Sequence, residues 1–332
     1  MQTRRTNPID FAKAIGCFCI VWNHSQFYWS MDSGSQQVID VAKFYFISWA
    51  MPFFYVSAFY FIMRYGLQNA ELAKVFRKML RIFWVQISII FVYEIYHFSV
   101  SLVLEDQSFR SLISQFSNKY SLENVLGIFS SGNSTPAYFL AQVFFLYFPL
   151  FLLGRFIGLR RYYSVITIAC LILMYSLNFE NSFITIDSYV YLAISIFLLK
   201  IDFQRIELDF FYKTVFLLSL LFLITWRMYH QEFLLIVLAI WASYSLLYRS
   251  TKTNLMAVRL SRFGSSHSLF VFLFHALSLS LSEILVSNLD IRLANRSFSD
   301  LFTYALINIL AFVFTAFSAI TLNRRFGWTL KI

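Results

Sequence analysis

Apolar windows long enough to cross a bilayer recur along this chain about ten times, near 8–29, 42–63, 82–104, 137–157, 162–179, 184–200, 211–228, 231–248, 266–287 and 300–322. The hydrocarbon region offers no water to backbone N–H and C=O groups, so each window must satisfy its hydrogen bonds within itself. Helices do this, and the pattern predicts an all-α, polytopic membrane protein. Composition supports it: 59% of the 332 residues are hydrophobic and only 13% charged, with 41 Phe and 20 Tyr. A soluble domain could not hide that much apolar surface. The windows 211–228 and 231–248 are separated only by Tyr229–His230, with Arg227 and Glu232 beside the turn. A re-entrant or kinked hairpin is an alternative there.

The charges give a second reading of topology. With the N-terminus inside, Arg4, Arg5, Lys74, Arg77, Lys78, Arg81, Arg160, Arg161, Arg259, Arg262, Arg324 and Arg325 all fall on cytoplasmic segments, and most of the 27 basic residues go with them. An even number of spans then puts both termini in the cytoplasm. The net charge of +10 is thus mostly topology, and nucleic acid is not an expected partner. Arg4 and Arg5 precede an apolar run, as in a signal peptide. That run is long, carries Asp10 and Lys13 and is followed by no prompt small-residue cleavage site, so a retained first helix is expected. Cys17, Cys19 and Cys170 sit in apolar runs, with neither a disulfide framework nor metal-ligand spacing; all three read as small packing residues, and no metal is expected. There is no linker, low-complexity tract or convincing repeat, which predicts one membrane domain over 1–332, its longest polar stretch near 105–136. The absence of a repeat weakens an inverted-repeat transporter.

Ionisable groups inside the spans are costly at membrane depth and face a cavity or a partner. Lys13 and His24 stand close to three helical turns apart in the first window, on one face and roughly 16 Å apart along the axis. Asp10 and Lys13 are spaced i,i+3 for pairing. The third window adds Glu94 and His97, of which His97 reads better as an interfacial residue. The ninth adds His275, with Ser278, Ser282 and Glu283 continuing a polar track. Interhelical hydrogen bonding is the bland account of the whole set, and snorkelling to the headgroups is that of Lys13. Lys74, Arg77, Lys78 and Arg81 precede the third window; they serve as positive-inside anchors or as a docking site for a cytoplasmic polyanion, since guanidinium groups grip phosphate oxygens.

Several strings, in one order over nearly the whole chain, resemble the acyltransferase-3 family of integral membrane O-acyltransferases. Lys13 and His24 are similar to the Arg/Lys-x10-His signature of its first helix, and Ile9–Gly16 resembles the fucose O-acetylase-like members. Met51–Phe59 resembles its Pro-Leu-Phe-Phe-x-x-Ser-Gly-Phe motif, Lys78-x-x-Arg81 the basic pair before its third helix, Thr135–Leu140 its Pro-x-Trp-Phe-Leu stretch, and Ser268–His275 its late Ser-Leu-x-Ile-Tyr-Leu-x-His motif. The departures are Lys13 for the commoner Arg, Ala58 for Gly, Tyr138 for Trp and Ala50 for a frequent His.

The resemblance implies an O-acyltransferase of the cell (inner) membrane, most simply an O-acetyltransferase. It would move an acyl group from cytoplasmic acetyl-CoA or another acyl-CoA to a hydroxyl of a cell-surface or lipid-linked glycan. It implies His24 as general base, with His275 and Glu94 in the catalytic set and His275 positioning the thioester or polarising its carbonyl. Lys13, Arg77, Lys78 and Arg81 would hold the donor's phosphates, and Asn23, Ser57 and Tyr138 would contact substrate. A base near the hydroxyl and stabilisation of the oxyanion are what such chemistry needs; direct transfer and an acyl-histidine both satisfy it. A transporter or flippase for a lipid-linked sugar, and a non-catalytic membrane interaction protein, are the rival readings of the same polar stripe.

Overall fold

The computed structural model describes residues 8–43, 49–68, 71–103, 137–159, 162–177, 186–200, 255–287 and 296–326, with positions 109, 111, 113 and 114. The expected spans at 211–228 and 231–248 lie outside the described residues, as do Thr135 and Pro136. The described elements are helices, and no strand occurs among the described residues. They are α1 (Pro8–Asn23), a 3-10 helix (Gln26–Ser30), α2 (Ser33–Ala42), α3 (Ala50–Leu67), α4 (Leu72–Val103), α5 (Ala137–Leu159), α6 (Tyr162–Ser176), α7 (Ile186–Lys200), α8 (Leu255–Ser287) and α9 (Arg296–Phe326).

Three of the described helices are long and apolar enough to cross a membrane: Phe139–Leu159, Leu255–Val286 and Ser297–Leu322, with Tyr162–Met174 a shorter apolar segment. The other expected spans differ for local reasons. The first window breaks at Asn23, because the His24 N–H turns back to the Val21 carbonyl at 3.3 Å and closes a tighter turn. The window at 42–63 is cut by the end of α2, and α3 runs on to Leu67 with Pro52, Arg64 and several tyrosines in it. The window at 82–104 is the latter part of a longer helix: α4 begins at Leu72, so Lys74, Arg77, Lys78 and Arg81, expected ahead of the span, lie on the helix itself.

The chain divides into two compact units, Met1–Ser57 with Ile201–Lys331, and Ala58–Lys200, the division falling within α3. In the first unit α1 packs along α8, α8 along α9, and α2 against α9. The α1–α8 seam is a close approach of backbones. A Cβ on Gly264 would overlap the Asp10 carbonyl oxygen and meet the Ala14 nitrogen at 3.0 Å. Further along the seam the Cys17 thiol donates to the Ser268 carbonyl at 3.6 Å. Gly16 is packed over by Phe54, whose Cε2 would lie 3.1 Å from an added Cβ.

The second unit uses the same device. Gly66 of α3 faces the Phe151 carbonyl, and Gly154 and Gly158 of α5 face Met63 and Leu67, so that small residues bring the helices together. Phe76 and Phe83 of α4 pack on Phe148 and Phe144 of α5, with ring centroids 5.7 and 5.8 Å apart. Cys170, read as a packing residue, is exposed on α6.

Because the clash at Gly264 is with backbone, no rotamer change relieves it. Gly264→Val should destabilise the first unit by at least the ~1–3 kcal/mol typical of overpacking. A thermal-unfolding series in detergent should show a clear fall in Tm; an unchanged Tm would contradict the close approach.

Candidate functional site

The α1–α8 seam carries ionisable groups at both ends. At its start Lys13 Nζ lies 3.8 Å from Asp10 Oδ1, both side chains largely covered at 17% and 19% exposure. The spacing of three on a helix makes this pair, and the ion pair offsets the cost of covering a lysine.

Past its end, His24 and His275 meet. The ring centroids are 4.9 Å apart, the planes inclined by 47°. The two rings are held differently. His275 is 3% exposed, and its Nδ1 lies 2.6 Å from the Phe272 carbonyl of its own helix. A carbonyl oxygen only accepts, so Nδ1 carries the hydrogen and the neutral ring keeps its lone pair on Nε2. His24 is exposed, in the turn just beyond the last residue of α1. The pair therefore has one buried, fixed member and one that a ligand can reach.

The turn that carries His24 is anchored from two sides. Glu283, two turns beyond His275 on α8, accepts at Oε1 from the Ser25 hydroxyl and from the Phe27 N–H, each at 3.1 Å. Tyr304 of α9 donates its hydroxyl to the Trp22 carbonyl, satisfying one of the open acceptors at the end of α1. Tyr304 also packs with Met31 and Ile39, against Trp22, Phe27, Tyr28 and Leu301. Beyond the 3-10 helix, the carboxylate of Asp32 caps α2 by accepting from the Gly34 and Ser35 N–H groups, and from the Ser35 hydroxyl at 2.6 Å. The Asp32 N–H donates to Asp300 Oδ2 at 3.0 Å. The Ser35 hydroxyl and amide bonds hold the Asp32 carboxyl down to about 2. A free aspartate titrates near ~3.9, so the cap is complete above that pH and fades as the pH falls through the lower value.

The other expected site residues fall as follows. Asn23 is exposed at the last position of α1. Ser57 is buried in α3 and donates its hydroxyl to the Phe54 carbonyl at 2.9 Å. Ser282, on the expected polar track, donates to the Ser278 carbonyl at 2.8 Å. Arg77, Lys78 and Arg81 stand on α4 in the second unit, with Arg77 and Arg81 exposed. Arg77 Nε donates to the Ala73 carbonyl at 3.4 Å, and Lys78 Nζ sits 3.8 Å over the Tyr65 ring. With Lys74 they recur at spacings of three and four, which puts one basic stripe on the helix. Glu94 is half-buried further along α4, and His97 is exposed beside Tyr96. Tyr138 is in the first turn of α5; its side chain is outside the described residues. Among the described residues, no three His, Cys, Asp or Glu side chains cluster as metal ligands would.

The chain belongs to the acyltransferase-3 family: the family model described as an acyltransferase domain matches residues 7–324. No curated protein and no solved structure matches the chain. Family and apolar helices together make this a membrane protein of the acyl-transferring class.

Sequence reading missed the anchoring of the His24 turn. Ser25 and Tyr304 carried no signal, since their partners lie 258 and 282 residues away. The capped helix α2 did carry one: Asp32-Ser33-Gly34-Ser35 is a helix start, with Ser35 and Ile39 the buried positions at i,i+4. Glu283→Ala would leave the Ser25 hydroxyl and Phe27 amide without an acceptor, at about 1–3 kcal/mol. Faster hydrogen exchange at Phe27 should follow; unchanged protection would contradict the anchor.

Proposed function

We propose that this protein is an O-acetyltransferase that moves the acetyl group of cytoplasmic acetyl-CoA to a hydroxyl of a cell-surface or lipid-linked glycan. The observation that carries the reading is the His24–His275 pair, an accessible imidazole beside a buried one, 4.9 Å apart. In this reading His24 takes the proton of the acceptor hydroxyl as its oxygen attacks the thioester carbon. The tetrahedral intermediate expels the CoA thiolate, which recovers the proton from the His24 imidazolium. His275 has its only N–H committed to Phe272, so as a neutral ring it has no donor with which to polarise the thioester carbonyl. Its Nε2 serves instead as an acceptor beside His24, holding that ring and favouring the imidazolium as it forms.

The donor's phosphates are assigned to the basic stripe of α4, Arg77, Lys78 and Arg81, and Lys13 is assigned to the donor on the strength of the family signature. Charge-assisted contacts of this kind suit phosphate groups. The protein is proposed to lie in the inner membrane with about ten spans and both termini in the cytoplasm, the arrangement that places the basic segments inside.

His24→Ala should abolish acetylation while the protein still inserts and accumulates normally. The mass of the surface glycan from cells carrying either form is the measurement. Loss of one acetyl group per repeat with the variant is expected, and wild-type acetylation by a well-expressed variant would refute the role. Neutralising Arg81 or Lys78 should raise the KM for acetyl-CoA about tenfold or more, as loss of a charged hydrogen bond does, and leave that of the acceptor little changed. Unchanged donor KM in both variants would reduce the stripe to a topology anchor.

A further inference from the structure

Trp29 is 80% exposed, at the far end of the short 3-10 helix that follows His24. An isolated exposed aromatic needs no special account. What singles this one out is how its neighbour is held. Tyr28 is gripped by two residues of α2 and the one that caps its end, spaced four and three apart: the Gln36 side-chain amide donates to the Tyr28 carbonyl at 3.1 Å, the Tyr28 hydroxyl donates to Asp40 Oδ1 at 2.7 Å, and Lys43 Nζ lies 4.2 Å over the Tyr28 ring. Tyr28 and Trp29 meet edge to face, centroids 4.9 Å apart at 82°. On the other side Glu283 fixes the Phe27 amide, and the Ser30 hydroxyl donates to the Phe27 carbonyl at 2.7 Å. The indole thus stands out from a rigid mount whose rim is polar.

Resting on the acetyltransferase reading, we propose that Trp29 with Asp40 is the subsite that holds the saccharide acceptor. A pyranose ring presents axial C–H groups to an indole face and equatorial hydroxyls to its rim. Asp40 is exposed and joined to the Trp29 platform through Tyr28, which uses only its Oδ1; in the proposal Oδ2 accepts from a hydroxyl of the bound saccharide. The platform also has the right place in the chain. A 3-10 helix rises about 2 Å per residue, so the indole lies on the order of 10 Å from the His24 turn. With one sugar unit stacked on Trp29, a hydroxyl of that unit or its neighbour comes within reach of the His24 imidazole. A lipid-interface anchor, the other use of a tryptophan here, would call for no carboxylate on the tyrosine it packs against and no three-point grip on that tyrosine. The valines on the opposite face of α2, Val38 and Val41, are exposed and apolar and suit that lipid role better.

The test uses the full chain in nanodiscs, with methyl glycosides of glucose, galactose and rhamnose as probes and saturation-transfer NMR as a binding readout independent of turnover. Binding of at least one glycoside is expected, with saturation strongest on its C–H face. Trp29→Ala should lose it, Trp29→Phe should restore part of it, and Asp40→Asn should weaken it. In turnover assays Trp29→Ala should raise the acceptor KM about tenfold, the size of one aromatic stacking contact, with the KM for acetyl-CoA unchanged. Glycoside binding that survives Trp29→Ala, or brominated-lipid quenching that is lost in Trp29→Phe and that sugar does not relieve in the wild type, would overturn the proposal. Glycoside binding at Trp29 without thiol release from acetyl-CoA would leave the subsite standing and refute the acetyltransferase reading instead.

Discussion

The close backbone approach of α1 and α8 at Gly264 is the constraint on which the site depends. With no side chain there, the Asp10 carbonyl and the Ala14 amide lie against α8, and the two helices stay in register through the Cys17–Ser268 bond. In a bilayer the apolar effect does little to hold helix to helix, so close packing and interhelical hydrogen bonds must do it. The same register that fits Gly264 against Asp10 delivers His275 to His24 and Glu283 to the turn that carries it. A shift of one residue along α8 would rotate His275 by about 100°, away from the seam.

That geometry gives the two histidines unequal roles. His275 is buried and has its tautomer set by a carbonyl of its own helix; His24 is reachable from outside and sits on a turn rather than inside a helix. A turn alone would hold an imidazole loosely. Glu283, Tyr304 and the capped start of α2 stiffen this one from α8, α9 and the following segment. The same anchors fix His24 and the exposed aromatic pair beyond it, so a single rigid elbow links the proposed proton-transfer group to the proposed sugar platform.

The all-α class and the family were legible in the sequence, because hydropathy and short motifs are local signals, and both histidines stood out there as ionisable groups in apolar windows. Lys13 and Asp10 could be paired from their spacing. The ends of elements were less legible. The first apolar window resumes at Phe27, Tyr28 and Trp29, and a span drawn through to them passes over the four polar residues 23–26, where the helix breaks and His24 enters a turn. α2 was hidden because its buried positions, Ser35 and Ile39, make a weak stripe, although Asp32 announces its start. The meeting of His24 with His275 depends on the Gly264 contact, and no pattern within either segment encodes it.

Everything proposed for this protein turns on a thioester being consumed at the His24–His275 pair. The most direct measurement is thiol release from acetyl-CoA by the purified protein in proteoliposomes, with and without the organism's lipid-linked glycan. The account predicts release that depends on the glycan, matched by acetyl gained on it. Passage of the glycan across the bilayer with no thiol released would contradict it and make the polar seam a transport path.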